Sequence, residues 1–223
     1  MKFKKIGVFL FMLFMLFMFF GSVSAENKYV KVVLIGNLKG GKTSVFKRLS
    51  NQNFDPNERQ GDQLACNRRM INDGDDVLTL EIWDTPGLKD YYNSVIELTR
   101  HVNFVFIVHD LSQVYDERNR AYLNKIYKDV HDRIAADGEI LFIGSKYDLR
   151  HSNIDNSSLQ ADLIERVARH VPCSYVITSA KDNTGISQLI NFILENSRKM
   201  NLLGESIDIG SIVNLQASKR GCC

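Results

Sequence analysis

Charge of one sign is what this sequence most plainly lacks. Its 28 lysines and arginines stand against 26 aspartates and glutamates, a net charge of +2. A nucleic-acid binder gathers basic residues on one face, so this balance argues against nucleic acid as a partner. Cysteine is scarce too. Of four cysteines, Cys66 and Cys173 lie far apart, and Cys222 and Cys223 are the last two residues. That is no disulfide framework, and no Cys-x-x-Cys pair or Cys/His cluster offers a metal site. Cys66 and Cys173 are expected to pack as small apolar side chains. No internal repeat is visible. An apolar run of full membrane-spanning length is missing as well: Ile6 to Phe20 is fifteen residues, where a span needs about 20.

What remains is a chain of 223 residues, 44% hydrophobic and 24% charged, which suits one globular α/β domain with short extensions. Residues 1–25 do not resemble the rest. Lys2, Lys4 and Lys5 precede the apolar stretch, and Gly21-Ser22-Val23-Ser24-Ala25 follows it with small residues. That order is the layout of a secretory signal peptide. Counting Gly21 to Ala25 makes an uncleaved hydrophobic anchor feasible, and a gene-model artefact is the third reading. None of the three is a core helix.

From Tyr29 the pattern alternates. Tyr29 to Ile35, Val77 to Trp83, Phe104 to Val108, Ile140 to Ile143 and Ser174 to Ile177 read as strands. The short apolar runs among them are of the type covered on both faces. Helical stretches are expected at Lys42 to Leu49 and at roughly 116–136, 158–171 and 184–199. In the last of these, Ile186, Leu189, Ile190, Ile193 and Leu194 repeat at three- and four-residue spacing. This alternation predicts an open, mainly parallel sheet with helices on both faces, whose ligands bind at the carboxyl ends of the strands. Residues 200–223 lose the periodicity and are expected to form a flexible tail.

Gly36-Asn37-Leu38-Lys39-Gly40-Gly41-Lys42-Thr43 fits the G-x-x-x-x-G-K-[ST] phosphate-binding loop, between a predicted strand and a predicted helix. Its glycines let backbone amides turn inward as a nest for phosphate oxygens, at a helix N-terminus that favours anions. Lys42 would reach the β- and γ-phosphates and Thr43 would ligate Mg²⁺. Three further motifs follow, each at a predicted strand end. In Asp84-Thr85-Pro86-Gly87 the carboxylate suits a Mg²⁺-bound water opposite Thr43, and the Gly87 amide suits a γ-phosphate. In Ser145-Lys146-Tyr147-Asp148 the carboxylate of Asp148 can accept from guanine N1 and N2 protons, which adenine does not offer, while the Lys146 stem lies along the base. In Thr178-Ser179-Ala180-Lys181 the backbone amides of Ser179, Ala180 and Lys181 suit guanine O6. Alone, each of these three is an ordinary turn. In this order they specify GTP or GDP with Mg²⁺.

Over about residues 28–199 the chain resembles a Ras-like G domain, a P-loop NTPase fold. Ile82-Trp83-Asp84-Thr85 and Phe54-Asp55-Pro56 resemble phrases of the Rab family. The ending Lys219-Arg220-Gly221-Cys222-Cys223 is similar to the paired-cysteine terminus that Rabs have geranylgeranylated, and two prenyl chains would supply two membrane signals. The resemblance implies a membrane-associated switch in vesicle trafficking or signalling. Its partners would be effector, exchange-factor and activator proteins, and it is expected to be a monomer.

Three departures bear on mechanism. Leu88 stands where the family has the glutamine that orients the attacking water, and leucine has no hydrogen-bonding group. Leu38 stands where glycine is usual, and its branched side chain is expected to crowd the γ-phosphate and the entry of an activator's arginine. Between Thr43 and Thr79 there is no threonine, and Gly61 falls where the first switch normally has one; Asp62 or a backbone carbonyl would have to substitute. Slow hydrolysis is therefore expected. Two alternatives stay open: a degenerate scaffold that does not switch, motivated by Leu38, Gly61, Leu88 and Ser145, and an anchored receptor-type GTPase resembling the signal-recognition-particle receptor β subunit. The two ends also conflict. A signal peptide directs the domain to the lumen, and Lys2, Lys4 and Lys5 held cytosolic by the positive-inside rule would do the same for an anchor. Nucleotide and prenyl chemistry favour the cytoplasmic face, with entry to the secretory pathway as the alternative.

Overall fold

The computed structural model describes residues 27–57, 63–74, 76–87, 89–113, 116–150, 174–200 and 202. Among them, six strands form one sheet in the order β2-β3-β1-β4-β5-β6. β1 (Asn27–Gly36), β3 (Asp76–Asp84), β4 (Phe104–Asp110), β5 (Glu139–Ser145) and β6 (Ser174–Ile177) run parallel. β2 (Ala65–Asp73) closes one edge antiparallel to β3. The described helices are α1 (Lys42–Leu49), α2 (Tyr92–Leu98), α3 (Glu117–His131) and α4 (Ile186–Ser197).

The period-two alternation of the central strands divides the core between two faces. Along β1, Val30, Val32 and Leu34 point to the face where α1 places Val45, Phe46 and Leu49 and α4 places Ile186, Leu189 and Ile193. Val33 and Ile35 point to the other face, where α2 brings Val95, Ile96 and Leu98 and α3 brings Leu123, Ile126 and Val130. Phe104, Phe106 and Phe142 are fully buried in these layers, each stabilising the fold by about 1.5–3 kcal/mol. The open parallel sheet with helices on both faces is thus the architecture observed. A sheet covered twice is why β4 and β5 read as continuous apolar runs.

Two elements escape the sequence reading. β2 is polar and alternates between exposed and half-buried positions, and α2 has fewer than two full turns. The strand β2 also corrects an expectation: Cys66 is not packed inside but is exposed on this edge strand. Its thiol is pushed up to about 11, first by the atoms packed around it and then by the neighbouring Glu81 carboxylate, so it stays protonated. Met200 and Leu202, at the start of the expected tail, pack against the core face of α1 and α4. The helix expected at 158–171, the segment before Asn27, Cys173, Gly61, Asp62, Leu88 and the paired cysteines lie outside the described residues. No helix among the described residues is long and apolar enough to cross a membrane.

Candidate functional site

Every motif predicted from the sequence follows a carboxyl end of a parallel strand. β1 ends at Gly36, whose φ of +143° and closeness to β4 admit no side chain: a Cβ there would lie 2.1 Å from the Val108 carbonyl oxygen. The chain then turns, with Gly40 N donating to the Asn37 carbonyl at 3.1 Å, and enters α1 at Lys42. The Lys42 side chain is buried, and its ammonium donates to the Gly36 carbonyl at 3.2 Å and the Asn37 carbonyl at 2.9 Å. Leu38 is 42% exposed. Its side chain lines a second cavity of about 360 Å³ shared with Asp110, Asn119 and Leu123, on the α3 side of the loop.

Across from the loop, Asp84 ends β3 and is 4% exposed. One carboxylate oxygen, Oδ2, accepts from the Thr43 hydroxyl at 2.6 Å. The other, Oδ1, is buried with no hydrogen-bond partner among the described residues. Burial raises the Asp84 carboxyl above the usual range, against the pull of the Thr43 hydroxyl and the Lys42 charge. Burial likewise lowers the Lys42 ammonium, with Asp84 opposing. An orphaned carboxylate oxygen beside a hydroxyl is a costly arrangement that a hard divalent cation relieves, since such ions take oxygen ligands. Thr43 and Asp84 therefore fit Mg²⁺. No group of three or more His, Cys, Asp or Glu side chains that could hold a metal ion occurs among the described residues.

The segment after Asp84 folds onto the loop. The Thr85 hydroxyl donates to the Leu34 carbonyl at 2.7 Å, and Gly87 lies against the Leu38 backbone and the Lys42 ammonium. A Cβ on Gly87 would stand 2.7 Å from Leu38 N and 2.8 Å from Lys42 Nζ. Only glycine fits there.

The other end of the site is braced by side chains. Ser145 ends β5 and is 2% exposed. Its hydroxyl lies within hydrogen-bond distance of the Gly40 carbonyl at 2.5 Å and the His109 carbonyl at 2.9 Å, and shares its one proton between them. The sequence suggests Ser145 as a base contact; it lines the cavity, and its hydroxyl lies under the phosphate loop and ties that loop to β5. Lys146, at a left-handed φ of 59°, pairs with Asp110 at 2.7 Å. Asp148 accepts from the Ser179 hydroxyl at 2.8 Å, which links the second base motif to the third. Arg48, on the last turn of α1, donates from Nε to the Ala180 carbonyl at 2.6 Å and from Nη2 to the Lys181 carbonyl at 3.3 Å. Behind this end, His109 is buried and within 2.9 Å of the Tyr175 hydroxyl through Nε2. Its desolvation lowers the imidazole to about 4, with Asp110 opposing, so it is neutral at pH 7.

These pieces surround one cavity of about 300 Å³. Lys39 through Thr43 and Gly87 line one part, and Ser145, Lys146, Asp148, Ala180 and Lys181 another. Among the sequence-predicted residues, Gly36, Asn37, Leu38, Asp84 and Ser179 are not part of this lining; Asp84 reaches it through its bond to Thr43 and Ser179 through its bond to Asp148. Arg48 is the residue that sequence reasoning missed. It bonds backbone carbonyls 132 and 133 positions away, and no local pattern reports such a contact. Phe54, Asp55 and Pro56 also line the cavity; the sequence marks that phrase only as a family likeness.

A model of the Ras family matches residues 31–199. Ras-related protein RABA1e of Arabidopsis thaliana is 25% identical over 221 residues, covering 91% of this chain and 99% of its own. Ras-related protein Rab-25 of Homo sapiens is 24% identical over 214 residues, covering 91% and 97%. Ras-related protein Rab-32 of Mus musculus is 26% identical over 187 residues, covering 82% of each.

Proposed function

This chain belongs to the Ras family, and from that premise we propose that it is a Rab-type guanine-nucleotide switch on the cytoplasmic face of a membrane, one that holds nucleotide firmly and hydrolyses GTP slowly. The observation that carries this reading is the convergence of four motifs on a single cavity, with Thr43 and Asp84 paired at 2.6 Å in one motif set and Asp148 bridged by Ser179 in the other. In the nucleotide complex, the Lys42 ammonium exchanges the Gly36 and Asn37 carbonyls for phosphate oxygens, which are stronger acceptors. Thr43 and Asp84 would hold Mg²⁺, which when bound neutralises charge on the β- and γ-phosphate oxygens. The Asp148 carboxylate accepts from guanine N1 and N2 protons. The Ala180 and Lys181 amides donate to O6.

Turnover is the weak part. Leu88 has no group with which to orient water, and Gly61 has no side-chain oxygen to report a γ-phosphate. Intrinsic hydrolysis in Ras-type proteins is already about 10⁻⁴ s⁻¹ with the usual glutamine in place. The output is therefore conformational, read by effector proteins and reset by exchange and activator proteins, with prenylated Cys222 and Cys223 holding the chain at the membrane. Denaturing the purified protein and identifying the released nucleotide by chromatography tests the binding, and following added GTP over hours tests the turnover. Bound GDP or GTP with very slow conversion supports the proposal. A folded protein that carries no nucleotide and ignores GTP overturns it.

One observation favours a second reading, a scaffold that does not switch: Lys42 is already satisfied by carbonyls of its own loop, with Gly87 packed over it. Clearly different partner affinities of the GDP and GTP forms would rule the scaffold out.

A further inference from the structure

We propose that Arg48 is a positioning residue for guanine recognition, aiming the Lys181 amide at the base from behind; this rests on the nucleotide reading above. The argument begins with the peptide plane. In a trans peptide, the carbonyl of one residue and the N–H of the next point in opposite directions. Arg48 Nε holds the Ala180 carbonyl at 2.6 Å. The N–H of the same peptide unit, that of Lys181, consequently points away from Arg48. Lys181 and Ala180 both line the 300 Å³ cavity, and the Lys181 N–H donates to no other group among the described residues.

The next unit is fixed at both ends. Arg48 Nη2 approaches the Lys181 carbonyl at 3.3 Å, and the Asp182 N–H donates to the Ser179 hydroxyl at 3.1 Å. Ser179 in turn donates to Asp148 at 2.8 Å. One guanidinium thereby locks the orientation of a loop that presents the Lys181 backbone amide to the cavity. A planar fork with fixed donors does this better than a flexible ammonium. Preorganising a donor removes the ordering cost that the ligand would otherwise bear.

The location gives the device its meaning. Lys42 and Arg48 sit at opposite ends of α1, six residues and about 9 Å of helical rise apart. Lys42 belongs to the phosphate loop, and Arg48 reaches the loop that reads the base. The helix thus fixes the spacing between the two ends of the ligand.

The test is nucleobase discrimination by the full chain and its Arg48→Ala variant. The probes are GDP, 6-thioguanosine diphosphate, whose sulfur is a poor acceptor in place of O6, and inosine diphosphate, which lacks the 2-amino group read by Asp148. The native protein is expected to prefer GDP over the 6-thio analogue about tenfold, the worth of one good hydrogen bond. Arg48→Ala is expected to narrow that gap to about twofold while leaving the GDP-to-inosine ratio unchanged. Arg48→Lys should fall between, and serves as the measured variant if Arg48→Ala does not fold. Equal weakening towards all three probes, or a native protein indifferent to the 6-thio substitution, would overturn the role given to Arg48. A native protein that binds none of them would overturn the nucleotide reading itself.

Discussion

The two ends of the cavity are built on different principles. At the phosphate end, binding depends on backbone and on a few buried charges: the loop from Gly36 to Thr43, the Lys42 ammonium and the half-satisfied Asp84. At the base end, side chains lock backbone. Ser145 holds Gly40, Ser179 holds Asp148 and Arg48 holds Ala180. Of the departures read from the sequence, Leu38 lies on the phosphate loop, and Gly61 and Leu88 lie outside the described residues. The serine that departs from the family at the base end still ties the phosphate loop to the sheet, its hydroxyl lying between the Gly40 and His109 carbonyls. On the proposed function, capture of the nucleotide and its turnover are expected to be separable in this chain.

The sharpest way to break this comparison is to remove Lys42. Lys42→Ala takes away the one buried cation aimed at phosphate, and nucleotide affinity is expected to fall by about 5 kcal/mol, several thousandfold. The nucleotide-free fold should melt within a few degrees of the native protein, since Lys42 bonds only two loop carbonyls. Titration calorimetry beside a melting curve checks both. A small loss of affinity would mean that the backbone nest alone carries phosphate binding.

Next in size is the base end. Asp148→Ala deletes an acceptor for two guanine donors, and affinity for GDP should drop by about 4 kcal/mol. Binding of ADP, which has neither donor, should stay as weak as before. Competition between the two diphosphates measures the ratio. A ratio unchanged by the substitution would mean that Asp148 serves only its bond to Ser179.

Acidification separates the ends in another way. His109 lies behind the base end with its imidazole lowered to about 4, whereas an unfolded histidine titrates near 6.5. Between these values the unfolded chain binds more protons, so stability rises with pH across the window and falls as pH drops through it. The stabilisation is complete above about pH 6.5, and its loss by pH 4 amounts to no more than about 3 kcal/mol. Denaturant midpoints at pH 7 and pH 5, for the native protein and His109→Gln, measure the share due to this residue. Similar pH slopes in the two would assign the effect to carboxylates instead.

Legibility in the sequence follows the same division. The strands β1, β4 and β5 could be read because a sheet covered on both faces demands unbroken apolar runs. The strand β2 could not, because its edge position places Arg68 and Met70 in water and half-buries the polar Asn67 and Arg69, so no apolar alternation marks it. Lys42, Thr43, Asp84 and Asp148 stand out in the sequence as candidates because phosphate, Mg²⁺ and guanine chemistry needs those residue types at fixed spacing. Arg48 was not: its partners are carbonyl oxygens, which every residue carries. Ser145 was legible as a position but not as a role, since the sequence records the replacement and only the fold reveals the carbonyls its hydroxyl meets. Cys66 was misjudged by treating burial as a property of the residue type, whereas the edge of a sheet decides it.

The smallest expected effect is the one that most directly tests the separation of capture from turnover. Leu88→Gln restores a group able to orient water, at a position that the sequence alone identifies. Single-turnover hydrolysis is expected to rise about tenfold, well short of what an added arginine supplies, because positioning without charge stabilisation lowers the barrier by only about 1.4 kcal/mol. GDP affinity should not move, since GDP lacks the γ-phosphate at which the attacking water is oriented. Adding Leu38→Gly should help an activator protein more than it helps the isolated chain, because the Leu38 side chain lies at the surface, 42% exposed, beside the second cavity. If Leu88→Gln instead leaves the rate flat while Leu38→Gly alone raises it, the obstacle lies in the loop itself. Gly87 packed on the Leu38 backbone would then be the contact that hydrolysis must first open.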